Sequence, residues 1–305
     1  MTIHHRPYQR SIDLLSIGQL IRGAYAVAPN WNTYSFARFD IWAQRRISDE
    51  VLLNKIGWQS DFRLWETGDG VPVGAVFFES DRDAMLIGHP DWPDLIEPML
   101  DYAEVRYREK GSTEPLMIEA MESNVARCEL LKARGYELFS GHFIHRHKPL
   151  DPTVIEPVNL PPGFSIKLMA TRADLEQYLP AVFAVFGRSG TLESDPFLNQ
   201  APSYVLELDL MVMSDQNEVA AFCTVWVDPV NHYAEFEPVG TVPSFQKRGL
   251  GLALLAYASN RLRALGCPLV TVQSWNESVG ANKLYQAAGL LPKDNQLNWC
   301  WRPAR

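Results

Sequence analysis

Residues 234–266 read AEFEPVGTVPSFQKRGLGLALLAYASNRLRALG, and the rest of the chain is best understood outward from them. A strand pattern ends at Pro243, a short loop follows, and an amphipathic helix opens at Gln246-x-x-Gly249-x-Gly251. Glycine lacks the Cβ that would keep an anion away from backbone N–H groups, so a loop of this kind can wrap a phosphate closely. The helix behind it adds unpaired amides and the positive end of its dipole. Taken alone, a Gly-x-Gly at a helix start reads more readily as a plain turn. The stretch carries neither G-x-G-x-x-G after a first strand nor G-x-x-x-x-G-K-[ST], so the dinucleotide and nucleoside-triphosphate readings both lack their residues.

Upstream of this stretch, Lys148 to Gly163 (KPLDPTVIEPVNLPPG) holds five prolines, which favours an extended connector over helix or strand. The expected division is therefore residues 1–148, a proline-rich linker at 149–163, and residues 164–305. Both halves follow one order. A short strand (IHHRPY, FSIKLM) precedes a helix (Ile12 to Tyr25, Asp174 to Phe186). Two strands split by turn-forming residues come next: FRLWE and VPVGAVFFE in the first half, LDLMVM and EVAAFCTVWV in the second. A third strand, a helix, a strand (LMIEA, LVTVQSW) and a last helix closed by Gly135 or Gly289 complete each unit, and glycine there fits a left-handed C-terminal cap. The pattern predicts two tandem copies of one α/β (α+β) unit, each a mixed, mostly antiparallel sheet flanked by helices.

With those elements in place, the second half resembles the GNAT superfamily of acyl-CoA-dependent N-acyltransferases. The family pattern is V-x-P, then R/Q-x-x-G-x-G/A, a helix, a strand, and N-x-x-A-x-x-L-Y-x-x-x-G-F. Here Thr241-Val242-Pro243, Gln246-Lys247-Arg248-Gly249-Leu250-Gly251 and Ala281 to Leu290 stand in that order and spacing, over about residues 164–305. Thr241 replaces the usual Val and Leu290 the usual Phe. The resemblance implies that amides of Gln246, Lys247, Arg248, Gly249, Leu250, Gly251 and Leu252 bind the pyrophosphate of acetyl-CoA as co-substrate. It also implies that Val239 and Thr241 offer main-chain groups to the pantetheine and thioester, and that Asn276 and Asn282 add side-chain contacts. Gly240 is expected to let substrate approach. An amine attacking a thioester builds negative charge on the carbonyl oxygen, which a fixed N–H stabilises.

Direct transfer also needs a base for the amine and an acid for the leaving thiolate. Glu235 and Glu237 alternate on the strand entering the loop, so strand periodicity places them, and Val239, on one side. Glu235 stands at the spacing where many members of the family keep their base, and Glu237 is one strand repeat nearer the thioester, so either can serve as base and the pair can hold a cationic amine by charge; a solvated or structural carboxylate pair is the competing reading. Tyr285 occupies the family's acid position, against the alternative of a core aromatic on an amphipathic helix.

In the first half, His89-Pro90 aligns with Val242-Pro243 and puts Pro93, Ile96 and Pro98 where the second half has Gln246, Gly249 and Gly251. Proline offers no N–H, isoleucine brings a branched side chain, and Leu131 stands at the Tyr285 position, so this copy reads as degenerate, closing one side of an acceptor pocket or providing an interface. His145 and His147 fall on one strand face near His142, but without a third carboxylate or thiolate an ordinary satisfied strand is expected rather than a metal site.

Composition narrows the rest. The apolar fraction of 47% with 21% charged residues is globular, and 305 residues suit two cores. Each half carries a net charge of −4 with no Lys/Arg cluster, which argues against nucleic acid and anionic membrane. No apolar run approaches the ~18 to 20 residues of a membrane span. Four scattered cysteines outline neither a zinc site nor a disulfide framework. A cytoplasmic protein with reduced thiols is expected, whose partners are acetyl-CoA, an amine acceptor and, as an assembly, a second copy of itself in a homodimer. The competing class is an acyl-CoA-binding sensor or interaction module without catalysis. Acceptor specificity is expected around Phe186 to Tyr204.

Overall fold

In a computed structural model, residues 2–9, 12–53, 57–187 and 200–303 are described. The first half runs β1 (Ile3–Pro7), α1 (Ile12–Val27), α2 (Phe36–Leu53), β2 (Arg63–Thr67), β3 (Pro72–Phe78), β4 (Asp83–Gly88), α3 (Ile96–Lys110), β5 (Leu116–Met121), α4 (Val125–Ala133) and β6 (Glu137–Pro149). The second runs β7 (Phe164–Leu168), α5 (Arg172–Phe186), β8 (Tyr204–Ser214), β9 (Val219–Asp228), β10 (Tyr233–Thr241), α6 (Leu250–Ala264), β11 (Leu269–Trp275), α7 (Val279–Ala287) and β12 (Leu291–Trp301). Residues 150–163, between the halves, carry no helix or strand. Most of the segment expected around Phe186 to Tyr204 lies outside the described residues.

The strands form one twelve-stranded sheet in the order β1-β2-β3-β4-β5-β12-β6-β11-β10-β9-β8-β7. Among the described residues, only β4 with β5 and β10 with β11 pair in parallel, and every other pairing is antiparallel. The order reads alike from both ends, as two copies of one unit require, but the units exchange their last strands. Strand β12 lies against β5 of the first half over Gln296–Trp301, and β6 lies against β11 of the second over Phe143–Pro149. The split at 148 and 164 therefore divides the chain without dividing the sheet.

Each face of the sheet is covered by helices whose apolar sides it selects. Against the first five strands, α3 and α4 bury Met99, Leu100, Ala103 and Leu131 on Val76, Leu86 and Ile118. On the other face, α1 and α2 bury Leu14, Ile17, Phe36 and Phe39 on Leu64, Ala75 and Phe77, and this core reaches into the second half through Trp226 and Tyr233. Helices α6 and α7 cover β8–β11 with Leu254, Leu255, Leu262 and Tyr285, while α5 covers the opposite face with Tyr178 and Ala181. The cysteines form no disulfide, and among the described residues no helix is long and apolar enough to cross a membrane.

Candidate active site

The site begins where two neighbouring strands part. Strands β10 and β11 pair only over Tyr233–Glu235 and Leu269–Thr271, so from Phe236 onward the β11 edge of β10 has no ladder partner. On its other edge β10 shifts register against β9, with Phe236 opposite Val225 and Val239 opposite Cys223. Glu237 and Pro238 thus share the place of one residue, which is a β-bulge. The Trp226 indole N–H donates to the Glu237 C=O inside it. Beyond the bulge the Val242 N–H donates to Ala220 C=O on β9, so alternation turns the amides of Val239 and Thr241 the other way, into the gap.

The loop at the end of β10 is built by backbone conformation. Pro243–Phe245 make a 3-10 turn, and Lys247 (φ 62°) and Gly249 (φ 80°) both adopt the left-handed region. Gly249 is the residue ahead of α6, and the helix's first turn closes with Ala253 N–H on Gly249 C=O. Amides ahead of Ala253 are those a helix start leaves without an internal partner. Gln246 folds back to donate through Nε2 to Thr241 C=O (3.1 Å), and Arg248 donates to Ser244 C=O (3.2 Å) while stacking over Phe245. Leu250 is buried, and Leu252 stays partly exposed.

Two glycines serve packing. A Cβ on Gly240 would stand 2.2 Å from Cζ of Phe222, so the missing side chain admits a core ring rather than a substrate. A Cβ on Gly251 would stand 3.1 Å from Leu284 Cδ2 and 3.2 Å from Thr241 Oγ1, so glycine here seats α6 closely against α7 and β10.

Glu235 points to the α1–α2 face, where it is 4% exposed and lines a pocket with Tyr25, Tyr34 and Ser35 of the first half, and with His145 and His147 of β6. Burial pushes its carboxyl up to about 8, opposed by a hydrogen bond from Ser35 Oγ to Oε1 (3.1 Å), raised further by Glu237 and lowered by Arg38. Tyr25 and Tyr233 stack at 4.1 Å along one wall. His145 Nε2 lies 2.8 Å from Gln296 Oε1, and burial lowers the pKa of both His145 and His147. The two imidazoles share one face as strand alternation predicts, and among the described residues no group of His, Cys, Asp and Glu could hold a metal ion. The expectation that Val239 shares the side of Glu235 fails. The bulge advances the phase by one residue, and Val239 packs with Phe236 against the α6–α7 core.

Tyr285 stands on that opposite face, 6% exposed, with its phenol held well above the ordinary value by burial first and then by the charge of Glu237. Glu237, at the bulge, is exposed, and its charge raises the pKa of both Glu235 and Tyr285. Asn282 fills every hydrogen-bonding position of its amide within the chain. Its Oδ1 accepts from Ser274 Oγ (2.8 Å) and Arg146 Nη2 (3.1 Å), and its Nδ2 donates to Trp275 C=O (3.1 Å) and Asn276 C=O (2.9 Å). Asn276 in turn accepts the His142 N–H and donates to His142 C=O. Both asparagines fasten β11, α7 and β6 together.

In the first half, β4 and β5 pair only over Asp83–Ala84 and Met117–Ile118 before parting. There the buried Arg127 of α4 donates to Leu86 C=O (3.3 Å) past the end of the pairing, and burial lowers its pKa to about 10. Pro93 opens a 3-10 turn and Ile96 starts α3, with Pro98 in its first turn.

Sequence reasoning missed α2 and with it Ser35. The signal was there: Ser35 precedes Phe36, Ala37, Phe39, Trp42 and Ala43, a buried stripe at helical spacing behind a preferred N-cap residue.

Residues 176–290 match the model of the Acetyltransferase (GNAT) family. The second half of this chain carries a GNAT acetyltransferase domain. Among solved structures, a GCN5-related N-acetyltransferase from Sphaerobacter thermophilus is similar at 19% identity and a TM-score of 0.67, covering 99% of this chain and 97% of its own. A tandem GNAT protein from the clavulanic acid biosynthesis pathway gives 14% identity and a TM-score of 0.67 over 100% of both chains. A GNAT-family acetyltransferase from Colwellia psychrerythraea gives 12% and 0.62, over 99% of this chain and 100% of its own. At these identities the likeness is one of fold, and the fold is that of tandem GNAT proteins. No curated protein matches the chain.

Proposed function

We propose that the protein is an N-acetyltransferase that moves an acetyl group from acetyl-CoA to a primary amine by direct attack. The observation that carries this reading is the place of Glu235: a carboxyl buried in the lining of a pocket, pushed up to about 8 by that burial, at the point where β10 and β11 part and the Val239 and Thr241 amides face the gap. A carboxyl tuned to that range accepts a proton near neutral pH, where one at its ordinary value is a poor base.

In this reading the amine nitrogen attacks the thioester carbonyl carbon, and the C–N bond forms as the C–S bond breaks. Glu235 takes the proton the nitrogen loses. The amides of Val239 and Thr241 stabilise the carbonyl oxygen while it carries negative charge. Tyr285 gives its phenolic proton to the departing thiolate and regains one from solvent. Glu237, at the bulge, tunes the proton affinity of both groups. The amides from Lys247 to Leu252, with the Lys247 and Arg248 side chains beside them, hold the pyrophosphate, while the Gln246 N–H, expected to join them, donates to Pro243 C=O (3.4 Å). The first half holds no second co-substrate: Pro93 and Pro98 withhold amides, Arg127 spans the gap, and Leu131 cannot donate a proton.

Calorimetric titration with acetyl-CoA and CoA, followed by thiol release from a panel of primary amines, tests the reading. One site per chain and turnover abolished in Glu235→Gln are the expected results. Two sites would refute the degenerate first half, and binding without thiol release from any amine would leave an acyl-CoA sensor in its place.

A further inference from the structure

Ser35 lies in the first half, 200 residues from Glu235 in sequence, yet its hydroxyl donates to Oε1 of that carboxyl. The same Oγ accepts the Arg38 N–H (3.2 Å), and the Ser35 C=O accepts the Phe39 N–H (3.0 Å), so Ser35 caps the start of α2. A hydroxyl has one proton to give. Because a backbone amide already occupies one of its lone pairs, the proton is left to point at Glu235. The Arg38 amide donates to the Ser35 hydroxyl and the hydroxyl donates to the carboxylate, which ends the chain as acceptor, and Glu235 stands off the positive end of an eighteen-residue helix.

We propose that Ser35 is a positioning residue for Glu235, orienting the carboxyl and favouring its anionic form, so that the first half tunes the base of the second. This rests on the reading of Glu235 as the base. Burial alone drives a carboxyl towards the neutral acid, and a base that never ionises is useless. Around Glu235 the titratable and charged groups are Tyr25 of α1, Arg38 of α2, Tyr233 and Glu237 of its own strand, and His145 and His147 of β6, which line the same pocket. Arg38 is engaged with Glu79 and Glu119, which leaves the Ser35 hydroxyl, among the described residues, as the donor seated directly on the carboxyl.

The test is the pH profile of kcat/KM for wild type, Ser35→Gly, Ser35→Ala and Ser35→Thr, with acetyl-CoA affinity measured alongside. Glycine keeps a serviceable helix start, costing a cap only a few tenths of a kcal/mol against serine, while removing the hydroxyl. Loss of a hydrogen bond to the ionised form raises the pKa of the base, so the acid limb of Ser35→Gly moves up by about one pH unit or more, and kcat/KM at pH 7 falls about tenfold or further. Ser35→Thr restores the limb, and acetyl-CoA affinity stays within about twofold of wild type in all four proteins. An acid limb that stays in place in Ser35→Gly, or a threonine variant as defective as the glycine one, overturns the proposal. Should the glycine variant not fold, Ser35→Ala against Ser35→Thr decides on the same limb. Glu235→Gln separates the two levels: if it keeps the wild-type profile, Glu235 is not the base. If it abolishes turnover while Ser35→Gly leaves the limb unmoved, the proposal about Ser35 alone is wrong.

Discussion

Gly240→Ala asks what the missing side chain on β10 is for. The added Cβ would lie 2.2, 2.7 and 2.8 Å from three carbons of the Phe222 ring, where ordinary carbon contacts start near 3.4 Å. The ring would have to withdraw by more than an ångström, and it has nowhere to go. Phe222 is fully buried, edge-on to Tyr178 at 5.1 Å and to Phe186 at 6.1 Å, and packed with Met211 and Met213. Overpacking of this kind costs about 1–3 kcal/mol, and the depth of the overlap puts the alanine variant in the upper part of that range. At about 2–4 °C per kcal/mol for a chain of this order, thermal unfolding should fall by about 5 °C or more. A double-mutant cycle with Phe222→Leu supplies the control. The leucine is expected to cost less in the alanine background than in wild type, by about 1 kcal/mol, because the two changes relieve each other. Circular dichroism melts give the four stabilities, and calorimetry gives acetyl-CoA affinity in each. An alanine variant as stable as wild type but unable to bind or turn over substrate would refute the packing account and return Gly240 to the role of admitting substrate.

Three further outcomes can be checked on the same protein. Because Glu235 is held at about 8 in the folded chain, above its ordinary value near 4.5, the folded state keeps a proton that the unfolded state has lost between those pH values. The wild type is therefore expected to lose stability as pH rises from about 4.5 to about 8, and Glu235→Gln to lose less, in urea unfolding compared across that window; parallel curves would contradict the buried, raised carboxyl. Tyr285→Phe should lower kcat by about a hundredfold or more with acetyl-CoA affinity preserved, the signature of a lost proton donor, and unchanged steady-state kcat would reduce Tyr285 to a core aromatic. Asn282→Ala removes the acceptor of Arg146 Nη2 and of Ser274 Oγ in a buried setting and should cost about 1–3 kcal/mol of stability, with acetyl-CoA affinity falling little once stability is corrected; a large affinity loss at wild-type stability would make Asn282 a ligand.

Much of the architecture was written in local pattern. The strand-loop-helix of residues 234–266, the alternating apolar runs and the glycines closing α4 and α7 are short-range signals, and the elements stand within a few residues of where those signals place them. Two things were out of reach of alternation. The bulge at Glu237 and Pro238 is an insertion of one residue, and no periodicity anticipates the single step that sends Glu235 and Val239 to opposite faces. The partner of Glu235 is Ser35, 200 residues away, and long-range pairing leaves no trace in local sequence. Glycine misled for a related reason. A residue without a side chain looks the same whether it yields to a phosphate or to the ring of Phe222, and only the neighbour on β9 separates the two.

The exchange of last strands is what makes a two-half site possible. Were β6 to fold back on its own β5, the β11 edge would be left without the strand that carries His145 and His147 to the pocket. Its alternate residue, Arg146, serves the other face, where it bonds Ser274 and Asn282 beside Tyr285. One strand of the first half thus lines the Glu235 pocket through its odd-numbered histidines and braces the Tyr285 side through the arginine between them. In the reciprocal move, β12 brings Gln296 to His145 and Asp294 to Asn30 and Ser123, tying the pocket wall of the first half to the C-terminal strand. Whatever chemistry its own loop supports, the first half has a physical reason to stay intact. The pocket around Glu235 is walled by it, and the hydroxyl on Glu235 comes from it.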